Sequence, residues 1–395
     1  MGIPNNNQLT LLELLKASLF EIKPAIPADV DWDAVMAEAG AQTVVALAAK
    51  AVPDEYFLKW QKYALQSRGQ FVRVMHGQSQ LVNLLEQARI PLVILKGTAA
   101  AMYYPEPFLR AMGDIDILVP QDKFDEAVRL IESNGYKRFH ELENHMTTSI
   151  RPRHIEFSKA GIEYELHYHF SGRGIDIENT LISGLEHVET AEIGGFTFTV
   201  LPPMENGLLL LAHAGFHLCS SELGLRQIID WMMFVHRELD DEKWKNCFCG
   251  MTERAGLRKL AVAMTRLCRD YLGLPGEYRW CEEADEKVVS ELLELILERG
   301  NFGRKAPNHY NIENITAKAR AKGLFTYLNQ ISSAVWKRQS VQRSITILRP
   351  FVFIKEFATL FNRRVRASKG NLIKDLKTGN ELSKLYIALG LNTRN

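Results

Sequence analysis

Cysteine is scarce and unpaired in this chain of 395 residues. The five cysteines, Cys219, Cys247, Cys249, Cys268 and Cys281, are odd in number, and Cys247 and Cys249 have no second pair with which to complete a zinc site. This spacing offers neither a disulfide framework nor a thiolate metal centre, so reduced thiols and a cytoplasmic setting are expected. No uninterrupted apolar stretch approaches the roughly 20 residues needed to span a bilayer. The opening Met1-Gly-Ile-Pro-Asn-Asn-Asn has no basic segment followed by an apolar one, and Gly2 lacks the Ser or Thr of a myristoylation signal. Charge of one sign is also missing: 48 Lys and Arg face 47 Asp and Glu, giving +1. With 46% hydrophobic and 24% charged residues, the composition is that of an ordinary globular protein. The length exceeds one comfortable core and suggests two or three domains.

Against this plain background, Arg110-Ala-Met-Gly-Asp-Ile-Asp-Ile-Leu-Val119 places two carboxylates one residue apart in an apolar run. A strand alternates its faces, so Ile115 and Ile117 are expected on the core side and Asp114 and Asp116 together on the other. Two like charges side by side call for a cation, and their hard oxygens suit magnesium. Upstream, Ile90 to Leu95 reads as a buried strand ending in Lys96-Gly97-Thr98, with a helix starting at Thr98 and running to Tyr104. Glycine at that joint lets backbone amides approach a phosphate near a helix N-terminus. Gly97 and Asp114 lie 17 positions apart, enough for one short helix and a loop.

A strand, Gly-Thr, a helix and then Asp-x-Asp on the next strand resemble the nucleotidyltransferase superfamily with the DNA polymerase beta fold. More narrowly, the chain resembles its uncharacterised bacterial nucleotidyltransferase family, which carries Lys-Gly in place of the commoner Gly-Gly or Gly-Ser. Residues 78–98 are similar to the helix and strand before that family's phosphate loop, and Asp122 to Tyr136 to the helix after Asp-x-Asp. Glu165-Leu-His167 resembles its later Asp-Leu-His, and Leu210-Leu-Ala-His213 through Asp230 its helical half. The resemblance covers roughly residues 10–240. It implies an α/β (α+β) fold, a polymerase-beta-like core with a mixed sheet flanked by N-terminal and C-terminal helical regions.

The resemblance further implies transfer of a nucleoside monophosphate from a nucleoside triphosphate such as ATP to a hydroxyl, with release of pyrophosphate and the help of two Mg2+ ions. Two metals and a triphosphate need more than two aspartates, which points to a third acid on a neighbouring strand. The segments His154–Lys159 and Ile162–His169 alternate around a turn-like Lys159-Ala-Gly161. Glu165 is the choice for the third carboxylate, one methylene longer than the family's usual aspartate, with Glu163 and Glu156 as rivals. In this reading Asp114, Asp116 and Glu165 hold metal and Glu165 can accept the acceptor's proton. Gly97 and Thr98 donate to the outer phosphates, while Lys96 or Arg110 offsets charge on the departing pyrophosphate. His167, His213 and Asp230 are candidates for an acceptor or nucleobase cleft. The alternative is a non-catalytic nucleotide- or partner-binding protein that retains the fold.

His213 and His217 share a helix face at the spacing of a zinc pair, but the glutamate of His-Glu-x-x-His is missing and no third ligand suggests itself. The chain divides into an N-terminal helical region 1–88, a nucleotidyltransferase core 89–200, a helical domain 201–300 and a basic, mainly helical region 301–395. In the first, helices are expected at Leu11–Leu15, Trp32–Val52 and Phe57–Gln87; Leu201-Pro-Pro-Met-Glu205 marks the exit from the core. Between Lys318 and Lys377, fourteen Lys or Arg are opposed only by Glu356 and Asp375. That tract could meet an anionic partner such as nucleic acid or a phosphorylated acceptor, and Phe351 to Phe361 beside Arg363-Arg364 permits an interfacial helix. The acceptor, whether small metabolite, protein or nucleic acid, is not readable from these residues.

Overall fold

The computed structural model describes residues 4–139, 154–169, 175–220, 222–305, 332, 335–336, 349–367 and 372–391. Four helices, α1 (Asn6–Phe20), α2 (Trp32–Ala41), α3 (Val45–Ala48) and α4 (Asp54–Gln87), precede the first strand. Then follow β1 (Val93–Leu95), α5 (Gly97–Ala101), β2 (Ile115–Leu118), α6 (Phe124–Ser133), β3 (Lys137–Arg138), β4 (His154–Lys159), β5 (Ile162–His167), α7 (Ile175–Gly184), β6 (Glu189–Ile193) and β7 (Phe196–Val200). The second half begins with α8 (Pro203–Ser220) and α9 (Leu225–Glu238) and continues through helices Cys249–Arg254, Arg258–Leu272, Glu286–Arg299, Arg349–Ala367 and Leu372–Ala388.

Five strands form a mixed sheet in the order β1-β2-β5-β4-β3, with β2 and β5 parallel and the other pairs antiparallel. The turn between β4 and β5 places Ala160 and Gly161 at φ 52° and 73°. Two successive left-handed residues give a turn whose twist matches the strands it joins. Gly194 and Gly195 do the same for the separate β6-β7 hairpin.

Period-two alternation sorts the sheet into two environments. Ile94, Ile115, Ile117, Tyr164 and Leu166 pack against Phe71, Met75 and Leu81 of α4 and Phe124 and Ile131 of α6. Val93, Leu95 and Leu118 instead join a larger core that α1 to α3 share with α8, α9 and the helices after them. The helical regions at the two ends of the sequence therefore bury their apolar faces together. The polar positions of the sheet, Asp116, Glu165 and His167, lie on the side facing that larger core.

Trp32–Val52 is not one helix. The chain breaks at Thr43, whose φ is 60°. Gln42 explains the interruption: its side chain donates to the Ile296 carbonyl and accepts from the Leu225 amide, both at 3.0 Å, while Asn301 Nδ2 donates to Thr43 Oγ1. Long-range hydrogen bonds thus override a local helical pattern. At the exit, Pro203 is the first residue of α8, where a missing N–H is no loss.

Among the described residues no helix is long and apolar enough to cross a membrane. Much of the basic tract, including Lys318, Arg320, Lys322, Lys337, Arg338, Arg343 and Lys369, lies outside them. The terminal helix docks on the helical half through Leu382, Leu385 and Tyr386, whose hydroxyl donates to the Leu218 carbonyl at 2.9 Å.

Candidate active site

Strand pairing builds the acidic centre. Because β2 and β5 run parallel in adjacent positions, Asp116 is the register partner of Glu165, and Leu118 that of His167. On the other side Leu95 is paired with Asp116, so the chain leaving β1 delivers Lys96 beside the same carboxylate. Lys96 Nζ lies 2.6 Å from Asp116 Oδ1 and 4.0 Å from Glu165 Oε2. His167 Nε2 lies 3.0 Å from Asp116 Oδ1 and 3.2 Å from Glu165 Oε2. Asp114, on the loop just before β2, is half-buried and lines the same cleft.

The electrostatics follow from burial and from these partners. Burial would push the Asp116 carboxyl up, but Lys96 and His167 overcome it and hold the group far below the usual carboxylate range. Asp114 has no such partner at contact distance among the described residues; burial, aided by the charge of Asp116, pushes it up to about 6. Burial opposes the charge on Lys96, yet Asp116, Glu165 and Asp114 together raise its pKa. His167 is raised too, since hydrogen bonds to Asp116 and Glu165 outweigh its burial. One side of the cleft therefore holds a tightly coupled group of three acids, an ammonium and an imidazole.

The donor set suits a divalent cation. Ligand atoms of Asp116, Glu165 and His167 lie within 4.8 Å of one another, and His154, Glu156 and Glu165 form a second such group nearer the surface. Glu165 belongs to both. Glu163, by contrast, is exposed, pairs with Ser158 and does not line the cleft.

Lys96 itself has φ 45° and ψ −117°, a conformation that residues with a Cβ rarely adopt. Gly97 begins α5 with ordinary negative φ, and a Cβ on it would come no closer than 3.6 Å to the Asp114 carbonyl and 3.7 Å to Met112 Cε. Neither backbone angle nor neighbouring protein atoms demand glycine there, although it borders the cleft. Thr98 is not brought to the cleft by its side chain. Its hydroxyl donates to Gln78 Oε1 at 2.7 Å, in the core on the far side.

Arg110 lines the cleft, but its guanidinium is committed to Asp230. Its Nε and Nη2 donate to the two oxygens of Asp230 at 2.7 Å each, its Nη1 to the Ala111 carbonyl at 3.2 Å, and Tyr104 adds a hydroxyl to Asp230 at 2.7 Å. Arg110 and Asp230 are 5% exposed, so this fork pins the loop before Asp114 to α9. Asp230 does not line the cleft; His213 does. His213 Nε2 is 2.9 Å from His217 Nε2, and His217 Nδ1 is 3.3 Å from Glu222 Oε2. A carboxylate can only accept from His217 Nδ1, so in the neutral tautomers His213 Nε2 donates to His217. Burial, with Lys96 nearby, pushes the His213 pKa well down.

Sequence reasoning missed the opposite wall. Arg226 of α9 lines the cleft, and its Nε is buried with no hydrogen-bond partner among the described residues. Its Nη1 reaches the Ala111 carbonyl at 3.4 Å. Burial, and next Arg110, lowers its pKa to about 10. The signal was an arginine inside the apolar run Leu225–Val235, four residues before Asp230 and on the same helix face. Phe216 and Phe302 complete this wall, and the enclosed cleft has a volume of about 350 Å³.

No curated protein matches the chain. The family model described as "Uncharacterised nucleotidyltransferase" matches residues 28–273, which include every acidic and basic group of the cleft named above. With a mixed sheet carrying paired acids beside a glycine turn, and with more than half of its length matched, the chain belongs to this nucleotidyltransferase family.

Proposed function

We propose that the protein transfers a nucleoside monophosphate from a nucleoside triphosphate to a hydroxyl group, with divalent metal and with release of pyrophosphate. The observation that carries this reading is the register pairing of Asp116 with Glu165 beside Lys96-Gly97, in a cleft that also holds Asp114. Asp114, Asp116, Glu165 and His167 are the residues that would hold Mg2+. When bound, the ion supplies neutralisation of the phosphates and a lower pKa for the acceptor hydroxyl.

The chain's own groups have the following parts. The acceptor oxygen bonds to the α-phosphorus while the bond from that phosphorus to the bridging oxygen breaks, and the electron pair leaves with pyrophosphate. Glu165, about a quarter exposed and so open to the cleft, takes the hydroxyl proton. The amides at the start of α5 have no intrahelical acceptors and can donate to phosphate oxygens across Gly97. Arg226, which lines the cleft and has a buried Nε without a hydrogen-bond partner among the described residues, stabilises the growing charge on pyrophosphate in place of the committed Arg110. Lys96 orders the acids before substrate arrives.

The decisive experiment incubates the purified protein with Mg2+ and each of the four ribonucleoside triphosphates and follows pyrophosphate release and labelling of metabolite, protein and RNA pools. Transfer should vanish in the Asp114→Asn, Asp116→Asn double variant. Release at the normal rate from that variant would overturn the assignment, and tight nucleotide binding without release by the unaltered protein would make it a binding module.

A further inference from the structure

We infer that Phe302 and Phe216 form a stacking surface for the nucleobase of the triphosphate, a reading that rests on the proposed nucleotidyl transfer. Large aromatic side chains normally bury themselves. Phe216 of α8 and Phe302 of the turn Asn301–Gly303 are instead 56% and 43% exposed, and both line the cleft that contains the acids. They flank His217, whose ring centroid is 5.7 Å from that of Phe216 and 5.3 Å from that of Phe302, edge to face in both cases. The Arg226 guanidinium carbon lies 5.2 Å from the Phe302 ring centroid.

The Phe302 ring is held in place deliberately. Its backbone is left-handed, φ 54° and ψ 31°, between Gly300 at φ 72° and Gly303 at φ 64°. A residue with a Cβ occupies that region only when its surroundings fix it there. Three elements do so. The Phe302 amide donates to the Glu222 carbonyl at 2.9 Å, Asn301 Nδ2 binds Thr43 Oγ1 at 2.8 Å, and Gly224 packs so closely that a Cβ on it would stand 2.6 Å from Asn301 Cα. Phe302 lies outside the matched residues 28–273.

The cleft thus has polar, metal-binding chemistry on one wall and flat apolar surface with a cation on the other. A nucleoside triphosphate has the same division. Arg226 stands over Phe302 and lines the same cleft as Asp114. The ring and the groups that would hold phosphate thus line one cleft. Ligand pockets of a few hundred Å³ suit ligands of this size.

The test measures binding of ATP and of inorganic tripolyphosphate, each with Mg2+, by calorimetric titration of the full chain. Phe302→Ala should weaken ATP binding about ten-fold or more and leave tripolyphosphate binding unchanged, while Phe302→Trp keeps ATP affinity. Phe216→Ala, a change at an exposed ring, should act in the same direction and serves if Phe302→Ala fails to fold by circular dichroism. Equal losses for both ligands, or no loss for ATP in either alanine variant, overturn the stacking surface. Unaltered protein that binds neither ligand sinks the transferase reading itself; unaltered protein that binds both, with no effect of the variants, sinks only this inference.

Discussion

Lys96 Nζ and Asp116 Oδ1 are 2.6 Å apart, so a divalent ion that takes Asp116 as a ligand must compete with an ammonium supplied by the protein itself. Replacing Lys96 by Met removes the competitor but leaves a carboxylate that is 3% exposed with, among the described residues, His167 alone against it. Without metal the variant should lose about 3 kcal/mol of stability, as expected when one partner of a buried pair is deleted, and it should bind Mn2+ more tightly. Lys96→Gly should recover about 1 kcal/mol of that loss by releasing the strained backbone. Urea denaturation with and without Mg2+ checks both; unchanged stability of the Met variant would refute the pairing.

Asp230 should matter to the fold more than to the reaction. Its removal strands Arg110 and Tyr104 in the interior. Asp230→Ala is expected to cost about 3–5 kcal/mol, and Arg110→Lys should not substitute, because an ammonium cannot make the two-pronged contact. Denaturant midpoints of the two variants decide this, and a loss below about 1 kcal/mol would mean the pair is dispensable.

Gly97→Ala separates folding from binding. Alanine is the better helix former, by roughly 0.5–1 kcal/mol, and the protein leaves room for its methyl group. The melting temperature should hold or rise while Mg2+-ATP affinity falls, because the methyl enters the space of a phosphate. Unchanged affinity would place the triphosphate elsewhere.

Asp114 gives the cleft a pH dependence. With a pKa of about 6 against 3.8 for a free carboxyl, the folded protein holds this proton more tightly than the unfolded chain does. Stability from that proton is full below about pH 4 and lost as pH rises through about 6. Asp114→Asn should therefore stabilise the metal-free protein at pH 8 and make no difference below pH 4. Mn2+ affinity should fall below about pH 6 more steeply than in the Asn variant, whose remaining slope comes from the His167 proton; an identical slope in both would assign the proton to another group.

The acidic centre was legible because it depends on alternation, which sequence carries directly. Asp116, Glu165 and His167 share a face through period-two geometry on two strands, and the Ala160-Gly161 turn fixed the register of the second hairpin strand. What alternation could not reveal was competition for side chains. Thr98 and Arg110 sit at the right places in the chain, yet Gln78 and Asp230, 20 and 120 residues away, claim their hydrogen bonds. Trp32–Val52 kept a helical pattern that Gln42 and Thr43 break through contacts with residues past 220. Arg226 carried a local signal in its apolar helix, whereas nothing in the sequence around Phe302 shows which wall it faces.

Helix α4 runs unbroken for 34 residues, about 50 Å at 1.5 Å per residue. Its first part sets Trp60 in the larger core and its later turns set Phe71 through Leu85 under the sheet. The two cores thus share one stiff element, so a substitution that loosens either seat should lower the stability of both.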